Sequence, residues 1–310
     1  MQKRRYFFLF SGAIIIPGLI IMLYSLVTTG SLFHLSNEFL GGSIYELRYT
    51  APGATEQNIR DVFIQFGDPD VGIQQVGGAD SYRWSVRGKY QVTEVSDQIV
   101  SGLAALAPLD RDALRVDQVS GTVGAEVERA ALLAVLIATG VVTGFIVLAF
   151  RTVPDAFRYG ACAILAMIHD VLVLSAAMSL AGLLLKWEVN ALFLTAVLTV
   201  VGFSIQDTIV LFDRIRENIP KYLGESYETI VNRSILETIH RSLAMQICVF
   251  FVTLSIMLFG GESIRQFMAM LFVGLLTGTY SSIFIAVPLL VSWEKGELPL
   301  VNRPAKTAEA

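Results

Sequence analysis

The 310-residue chain is 54% hydrophobic and only 16% charged, with a mean hydropathy of +0.61. Soluble domains carry about 25% charged residues, so this composition excludes an ordinary soluble protein and predicts one that crosses a membrane several times. The net charge of −4 gives no sign of a nucleic-acid partner. Cys162 and Cys248 lie in apolar stretches, where free thiols are expected, and no spacing typical of a metal, cofactor or catalytic site is present.

Six apolar stretches are long enough to cross a bilayer, which takes about 20 residues per helix. The first follows a basic N-terminus and is not followed by the small-residue cleavage site of a signal peptide, so we expect it to be retained. The third and fourth are separated only by a tight turn at residues 186–188. The predicted spans are 7–27, 130–150, 158–184, 190–212, 243–260 and 267–292.

Lysine and arginine residues predict the orientation, because they accumulate in the cytoplasmic segments of membrane proteins. With both termini in the cytoplasm, only Lys186 and Arg265 fall in the short outer loops. The residues then placed inside are Lys3, Arg4, Arg5, Arg151, Arg158, Arg214, Arg216, Lys221, Arg233, Arg241, Lys295, Arg303 and Lys306. The sequence therefore predicts that the N- and C-termini are both cytoplasmic.

The polar residues 29–129, between the first two spans, are expected to fold outside the cytoplasm. Thr55 is placed to cap a helix, and Gly77-Gly78 to form a turn between two strands. Alternation predicts strands at 44–49, 71–76, 82–86 and 114–119, and helical spacing predicts helices at 55–66 and 92–106. The order β-α-β-β-α-β is that of a ferredoxin-like unit. The predicted fold class is thus a polytopic α-helical membrane protein of six helices, with an α+β ferredoxin-like extracytoplasmic domain between helices 1 and 2.

The remaining boundaries follow from the same patterns. The first transmembrane helix occupies residues 1–28, and a five-helix bundle is expected at 130–293, followed by a cytoplasmic tail at 294–310. Within the bundle, residues 213–241 are polar on one side and apolar on the other, which predicts a cytoplasmic amphipathic loop with a helical segment, either a plain loop helix or a lipid sensor. Asn190 is expected to cap the fourth span.

Two pairs of glycines are spaced to lie on one face of a helix. They are Gly140 with Gly144, and Gly274 with Gly278. Small residues at this spacing favour close packing of transmembrane helices, although the pattern is common.

Asp207 lies inside the fourth apolar span and is the first candidate for chemistry. A carboxylate at the centre of a span costs about 2.5–3.5 kcal/mol on the most lenient scale, so such residues usually mark ion pathways, proton relays or helix contacts. Arg241, before the fifth span, is a candidate partner that could hold the carboxylate in fork geometry. The alternatives are a carboxyl group that locks helices together and an arginine that anchors the cytoplasmic end.

His169 and Asp170 form a second intramembrane pair, near the middle of the third span. Adjacent residues point about 100° apart on a helix, so the two side chains need not contact each other. They are predicted to be a polar node of the bundle, with either a functional or a structural role.

Several motifs resemble the SecF group of the SecD/SecF family of protein-export membrane proteins. The strongest is the stretch 202–218, which reads GFSIQDTIVLFDRIREN and contains Asp207. Motifs in the same order along the chain are Phe39-Leu-Gly-Gly-Ser43, residues 119–127, His169-Asp-Val171, Asn232-Arg-Ser-Ile235, His240-Arg-Ser-Leu243 and residues 278–284. The resemblance covers nearly the whole chain.

The resemblance implies the resistance-nodulation-division superfamily, in which six spans form one pseudosymmetric half and SecD forms the other. It implies an accessory subunit that uses the proton gradient to assist the SecYEG translocon in a bacterial or archaeal cytoplasmic membrane. The emerging preprotein, membrane lipids and YajC are the further partners it suggests. The residues it implicates in proton coupling correspond to Asp207 and Arg241, and it implies no catalytic activity.

Three positions depart from the family pattern. Gln206 stands where the family usually has asparagine, and Asn37-Glu38 where an aspartate is typical. Ala244-Met-Gln246 replaces a run rich in serine and threonine, so hydroxyl groups that could relay a proton after Arg241 are missing.

A second hypothesis is a proton-driven half-transporter of the same superfamily that exports a small molecule or a lipid. It predicts an apolar substrate cleft. A third is a structural scaffold whose effect on export does not depend on the proton gradient.

Overall fold

The computed structural model describes residues 4–76, 82–151, 156–260 and 262–297. It divides the chain into two compact units, one of residues 1–34 with 134–310 and one of residues 35–133. The elements in chain order are α1 (Arg4–Thr29), α2 (Asn37–Leu40), β1 (Gly42–Arg48), α3 (Glu56–Gln65), β2 (Gly72–Gln75), β3 (Arg83–Gly88), α4 (Thr93–Leu106), β4 (Arg115–Val119), α5 (Gly121–Phe150), α6 (Ala156–Leu185), α7 (Ala191–Asn218), α8 (Tyr227–Phe259), α9 (Glu262–Ser281), a π-helical segment (Ser282–Ala286) and α10 (Val287–Glu294).

The described residues contain six helical stretches that are long and apolar enough to cross a membrane, which confirms the six predicted spans. Two helices begin earlier than their apolar parts. The helix of the second span begins at Gly121 rather than near residue 130, and that of the fifth at Tyr227 rather than near 243. Hydropathy marks only the part of a helix that suits lipid, whereas the backbone hydrogen bonding continues through polar turns.

The segment 213–241 is made mainly of the ends of two long helices. Helix α7 continues to Asn218, and α8 begins at Tyr227 after a short connection. The N-terminus of α8 is capped by Ser226, whose side chain accepts a hydrogen bond from the amide of Thr229. The amphipathic pattern therefore belongs to helices that are continuous with spans.

The N-terminus of α7 carries the predicted cap. The side-chain oxygen of Asn190 accepts a hydrogen bond from the amide of Phe193 at 3.0 Å, which confirms Asn190 as the N-cap. Beyond this cap, α7 is packed on several sides, and half of its most apolar 18-residue stretch is buried within the chain. This places Asp207 in the interior of the bundle.

The two glycine pairs differ in how closely other helices approach them. A Cβ on Gly274 would lie 2.2 Å from Cγ2 of Val200, and one on Gly278 would lie 3.2 Å from Cβ of Ser204. These glycines of α9 therefore allow the close approach to α7 that their spacing predicts. A Cβ on Gly140 or Gly144 would meet nothing within 4 Å among the described residues.

We expect Gly274→Ala to destabilise the bundle by about 1–3 kcal/mol, because the added methyl group overlaps Val200. Gly140→Ala is the matched control and should be neutral or stabilising by about 0.5–1 kcal/mol, since alanine favours the helix and has open space here. Thermal unfolding of the purified chain, followed by the loss of monodisperse protein, measures both. Equal stability of the two variants would contradict the close packing of α7 and α9.

The helix that follows Gly278 is not regular. The backbone of Ser282–Ala286 is π-helical, and α10 follows with Pro288 near its start. Proline has no amide hydrogen, and its ring clashes with the carbonyl four residues earlier, which here belongs to Phe284. A local widening to π-helix relieves this clash, and such segments often lie at functional sites.

The second unit has the predicted ferredoxin-like fold. Its four antiparallel strands lie in the order β2-β3-β1-β4, with β1 between β3 and β4. Helices α3 and α4 cover one face, where Tyr45, Phe63 and Ile99 are fully buried. The side chain of Thr55 accepts a hydrogen bond from the amide of Asn58, which confirms it as the cap of α3. The predicted turn at Gly77-Gly78 lies outside the described residues.

Candidate functional site

Asp207 is buried between α7 and α8. The residue is only 4% exposed, and Oδ2 of its side chain accepts a hydrogen bond from Nε2 of Gln246 at 2.9 Å. Ser242 lies one helical turn before Gln246, and its side chain also reaches the carboxyl group. The carboxyl group of Asp207 is therefore held by α8 through two uncharged side chains.

A small cavity lies beside this carboxyl group, with room for about one water molecule. Hydroxyl groups from three elements, α8, α9 and the π-helical segment, line it together with apolar side chains of α7, α8 and the π-helical segment. Its lining consists of Asp207, Leu211, Ile235, Thr238, Ile239, Ser242, Thr279, Ser282 and Ile283. Asp207 is thus the one ionisable side chain among the described residues that line it.

Arg241 does not contact Asp207 in this structure. Its side chain is exposed, and the described residues include no ion pair or hydrogen bond between it and Asp207. Arg241 and Ser242 are neighbours on α8 and so point about 100° apart. The face of α8 that is directed toward Asp207 carries Ser242 and Gln246.

Gln246 carries an unsatisfied polar atom. The residue is 1% exposed, and its Oε1 is buried with no hydrogen-bond partner among the described residues. A buried acceptor without a donor costs about 1–3 kcal/mol. The amide is therefore only half satisfied while it donates to Asp207.

His169 and Asp170 are brought together at the centre of the bundle. Nδ1 of His169 lies 3.0 Å from Oδ1 of Asp170, and its Nε2 lies 2.9 Å from Oγ of Ser11 in α1. Oδ2 of Asp170 accepts hydrogen bonds from the hydroxyl groups of Ser204 in α7 and, at 2.7 Å, Ser281 in α9. This cluster joins four helices through a carboxyl group that is fully buried.

Hydroxyl groups lie between the two buried carboxyl groups. Thr208 donates to Oγ of Ser282 at 3.0 Å, and Ser282 in turn donates to the carbonyl oxygen of Ser204 at 3.1 Å. Ser204 also binds Asp170, whereas Ser282 lines the cavity beside Asp207. The two sites therefore share α7 and α9.

Sequence reasoning did not identify Gln246, Ser242, Ser204 or Ser281 as parts of these sites. One signal was present, since Ser242 and Gln246 are spaced to share a helix face, as are Ser204 and Thr208. Within the part of the chain that the structure describes, no three His, Cys, Asp or Glu side chains are grouped as a metal ion would need.

Comparison with known proteins identifies relatives over the full chain. The family model described as "Protein export membrane protein SecD/SecF, C-terminal" matches residues 99–296. Protein translocase subunit SecF of Anaerolinea thermophila is 44% identical and covers 100% of this chain and 99% of that protein. Protein translocase subunit SecF of Thermobaculum terrenum is 38% identical and covers 98% of this chain and 96% of that protein.

Solved structures give the same result. The crystal structure of SecDF, a translocon-associated membrane protein from Thermus thermophilus, superposes with a TM-score of 0.76 at 30% identity. The match covers 95% of this chain and 38% of that one, so the present chain corresponds to a little over a third of SecDF. Together with the curated relatives, this places the chain among the SecF proteins of the SecD/SecF family of protein export membrane proteins.

Proposed function

We propose that this chain is an accessory subunit of the Sec translocase that uses the proton gradient to promote protein export with SecD and SecYEG. The observation that carries the proposal is the carboxyl group of Asp207, buried within a spanning helix and held across a helix interface by side chains without charge. Intramembrane carboxyl groups in such settings mark proton and ion pathways. The relatives, which are named as subunits of the protein translocase, support the same function.

Arg241 is proposed to act in a second state of the site. An ionised Asp207 needs a cation or donors around it, and an arginine stays charged at every stage of a proton cycle. A rotation of α8 by about 100° would bring Arg241 toward the position that Ser242 now occupies. Proton binding at Asp207 would then select between the contact with Gln246 and one with Arg241.

The energy available is large enough for such a change. One elementary charge that crosses 100 mV releases about 2.3 kcal/mol, which is about a factor of 50 in an equilibrium constant. A few protons could therefore drive a rearrangement of helices. The ferredoxin-like domain is proposed to hold and release the emerging preprotein during this cycle.

The location and partners are also proposals. The distribution of lysine and arginine favours a cytoplasmic membrane with both termini inside, which places the domain of residues 35–133 outside. SecD would supply the second half of the membrane unit, because the similar SecDF chain is more than twice as long. SecYEG, YajC and membrane lipids are the other partners that the family suggests. The His169–Asp170 cluster is proposed to hold the bundle together during movement.

The test is export into proteoliposomes that contain SecYEG, SecD and this chain. We expect an imposed proton gradient to accelerate the late phase of preprotein export, and a protonophore to remove this acceleration. Export that is stimulated equally with and without the gradient would favour a scaffold and contradict the proposal.

The half-transporter remains the alternative function, and co-purification separates it. Recovery of SecD and SecYEG with the tagged chain supports the translocase subunit. Recovery of a lone homo-oligomer, with gradient-driven movement of a small molecule or lipid that is indifferent to SecYEG, would support the transporter instead.

A further inference from the structure

Gln246 is placed to distinguish the two protonation states of Asp207. An ionised carboxylate has only acceptors, so it can accept from Nε2 of Gln246 but can never satisfy Oε1. A protonated carboxyl group has both an acceptor and an O–H donor. The side-chain amide has the same two functions in the same arrangement, so the two planar groups can form two hydrogen bonds side by side.

The structure contains one of these two bonds. Nε2 of Gln246 donates to Oδ2 of Asp207 at 2.9 Å, and Oε1 of the same amide is buried without a partner. Both residues are almost fully buried, so bulk water does not compensate Oε1. A proton on Oδ1 of Asp207 would supply a donor for Oε1.

We propose that Gln246 is a positioning residue that recognises the protonated form of Asp207 by a two-bond pair of side-chain amide and carboxylic acid. This role rests on the proposed proton-coupling function of Asp207. Gln246 is the residue whose hydrogen bonds change with the protonation state of that carboxyl group. A proton taken up from water binds Oδ1, and the resulting O–H donates to Oε1 of Gln246. Loss of the proton removes that bond and leaves Oε1 unsatisfied, while Nε2 continues to donate to the carboxylate.

Among the described residues that line the cavity beside Asp207, no other charged group competes for this role. On the α8 side, Ser242 is uncharged and Arg241 is exposed. Thr279 and Ser282 line the cavity from α9 and the π-helical segment. His169 and Asp170, at the centre of the bundle, are engaged with Ser11, Ser204 and Ser281.

The pairing is specific to the side chain at this position. A serine or threonine, which the family pattern favours in this stretch, offers one hydroxyl group and cannot make two parallel bonds to a carboxyl group. The departure at Ala244-Met-Gln246 therefore does not remove the polar partner of Asp207. It replaces hydroxyl groups by an amide that matches the protonated acid.

Infrared difference spectroscopy tests this pairing in the full chain with its SecD half in lipid nanodiscs. Spectra at acidic minus alkaline pH contain the C=O band of the protonated Asp207, which is assigned by its loss in Asp207→Asn. We expect Gln246→Met, which keeps the length of the side chain, to move this band to higher wavenumber because its C=O loses the N–H donor. Gln266→Met is the matched control. Gln266 also lies in a spanning helix, where its Nε2 donates to the carbonyl of Glu188 at 2.6 Å, and its loss should leave the Asp207 band in place.

A second measurement needs no substitution at position 246. With glutamine labelled by ¹³C in the side-chain amide, a glutamine band should change with the same pH midpoint as the Asp207 band and disappear in Asp207→Asn. An Asp207 band that does not respond to Gln246→Met, or labelled glutamine bands that do not follow it, would overturn the inference and leave proton coupling intact. The absence of any Asp207 band across the pH range would overturn both proposals.

Discussion

Replacing Asp207 with asparagine is expected to abolish the gradient-dependent part of protein export while the fold is retained. Asparagine keeps the size of the side chain and an oxygen that can accept from Gln246, but it cannot bind and release a proton. The gradient-driven rate should fall by about tenfold or more, since one proton across 100 mV accounts for about 2.3 kcal/mol. The measurement is the export rate in proteoliposomes with and without an imposed gradient.

The same substitution at the end of α7 provides the control. Asp213 is about half exposed and pairs with Arg216 at 2.6 Å. Exposed ion pairs contribute about 0–1 kcal/mol, so Asp213→Asn should leave export unchanged. If Asp207→Asn exported as fast as Asp213→Asn under a gradient, the proton would not act through Asp207.

The second large effect is expected on stability, from Asp170→Ala. The carboxyl group of Asp170 is fully buried and accepts from Ser204 and Ser281 while contacting His169. Its removal leaves Ser204 and His169 without this buried partner and leaves Ser281 only the carbonyl oxygen of Gly278, and each unsatisfied group costs about 1–3 kcal/mol. We expect a loss of about 3 kcal/mol or more, measured by thermal unfolding of the purified chain.

A graded series makes this prediction specific. Asp170→Asn keeps an oxygen for Ser204 and Ser281 and should lose less stability than Asp170→Ala. Asp213→Ala is the exposed comparison and should change stability by no more than about 1 kcal/mol. If Asp170→Ala unfolded at the same temperature as Asp213→Ala, the cluster would not hold the four helices together.

The fold could be predicted largely from the sequence, because it rests on local patterns. The length of the apolar stretches predicted the six spans. Strand alternation and helical spacing, together with the flanking turns, predicted the ferredoxin-like domain. The start of α8 at Tyr227 could not be predicted in this way, since its first turns are polar and are stabilised by backbone hydrogen bonds and the cap at Ser226. The π-helical segment was also not predicted, because Pro288 permits several ways of relieving its clash.

The site could be predicted only in part. Asp207 and the His169–Asp170 pair were identifiable because an ionisable group in an apolar stretch is unusual whatever it contacts. Their partners depend on the rotation and register of neighbouring helices, which the sequence does not specify. Gln246 and Ser242 thus hold the carboxyl group of Asp207 in the structure. The resemblance to the family pointed instead to Arg241, whose side chain is exposed here.

The central claim is that a proton passes through Asp207 while a preprotein is exported. Proton movement into proteoliposomes that contain SecYEG, SecD and this chain, followed by a pH-sensitive dye during export, tests it most directly. We predict a proton flux that requires an exported preprotein and disappears in Asp207→Asn, with Asp213→Asn as active as the unmodified chain. A preprotein-dependent flux that persists in Asp207→Asn would contradict the claim.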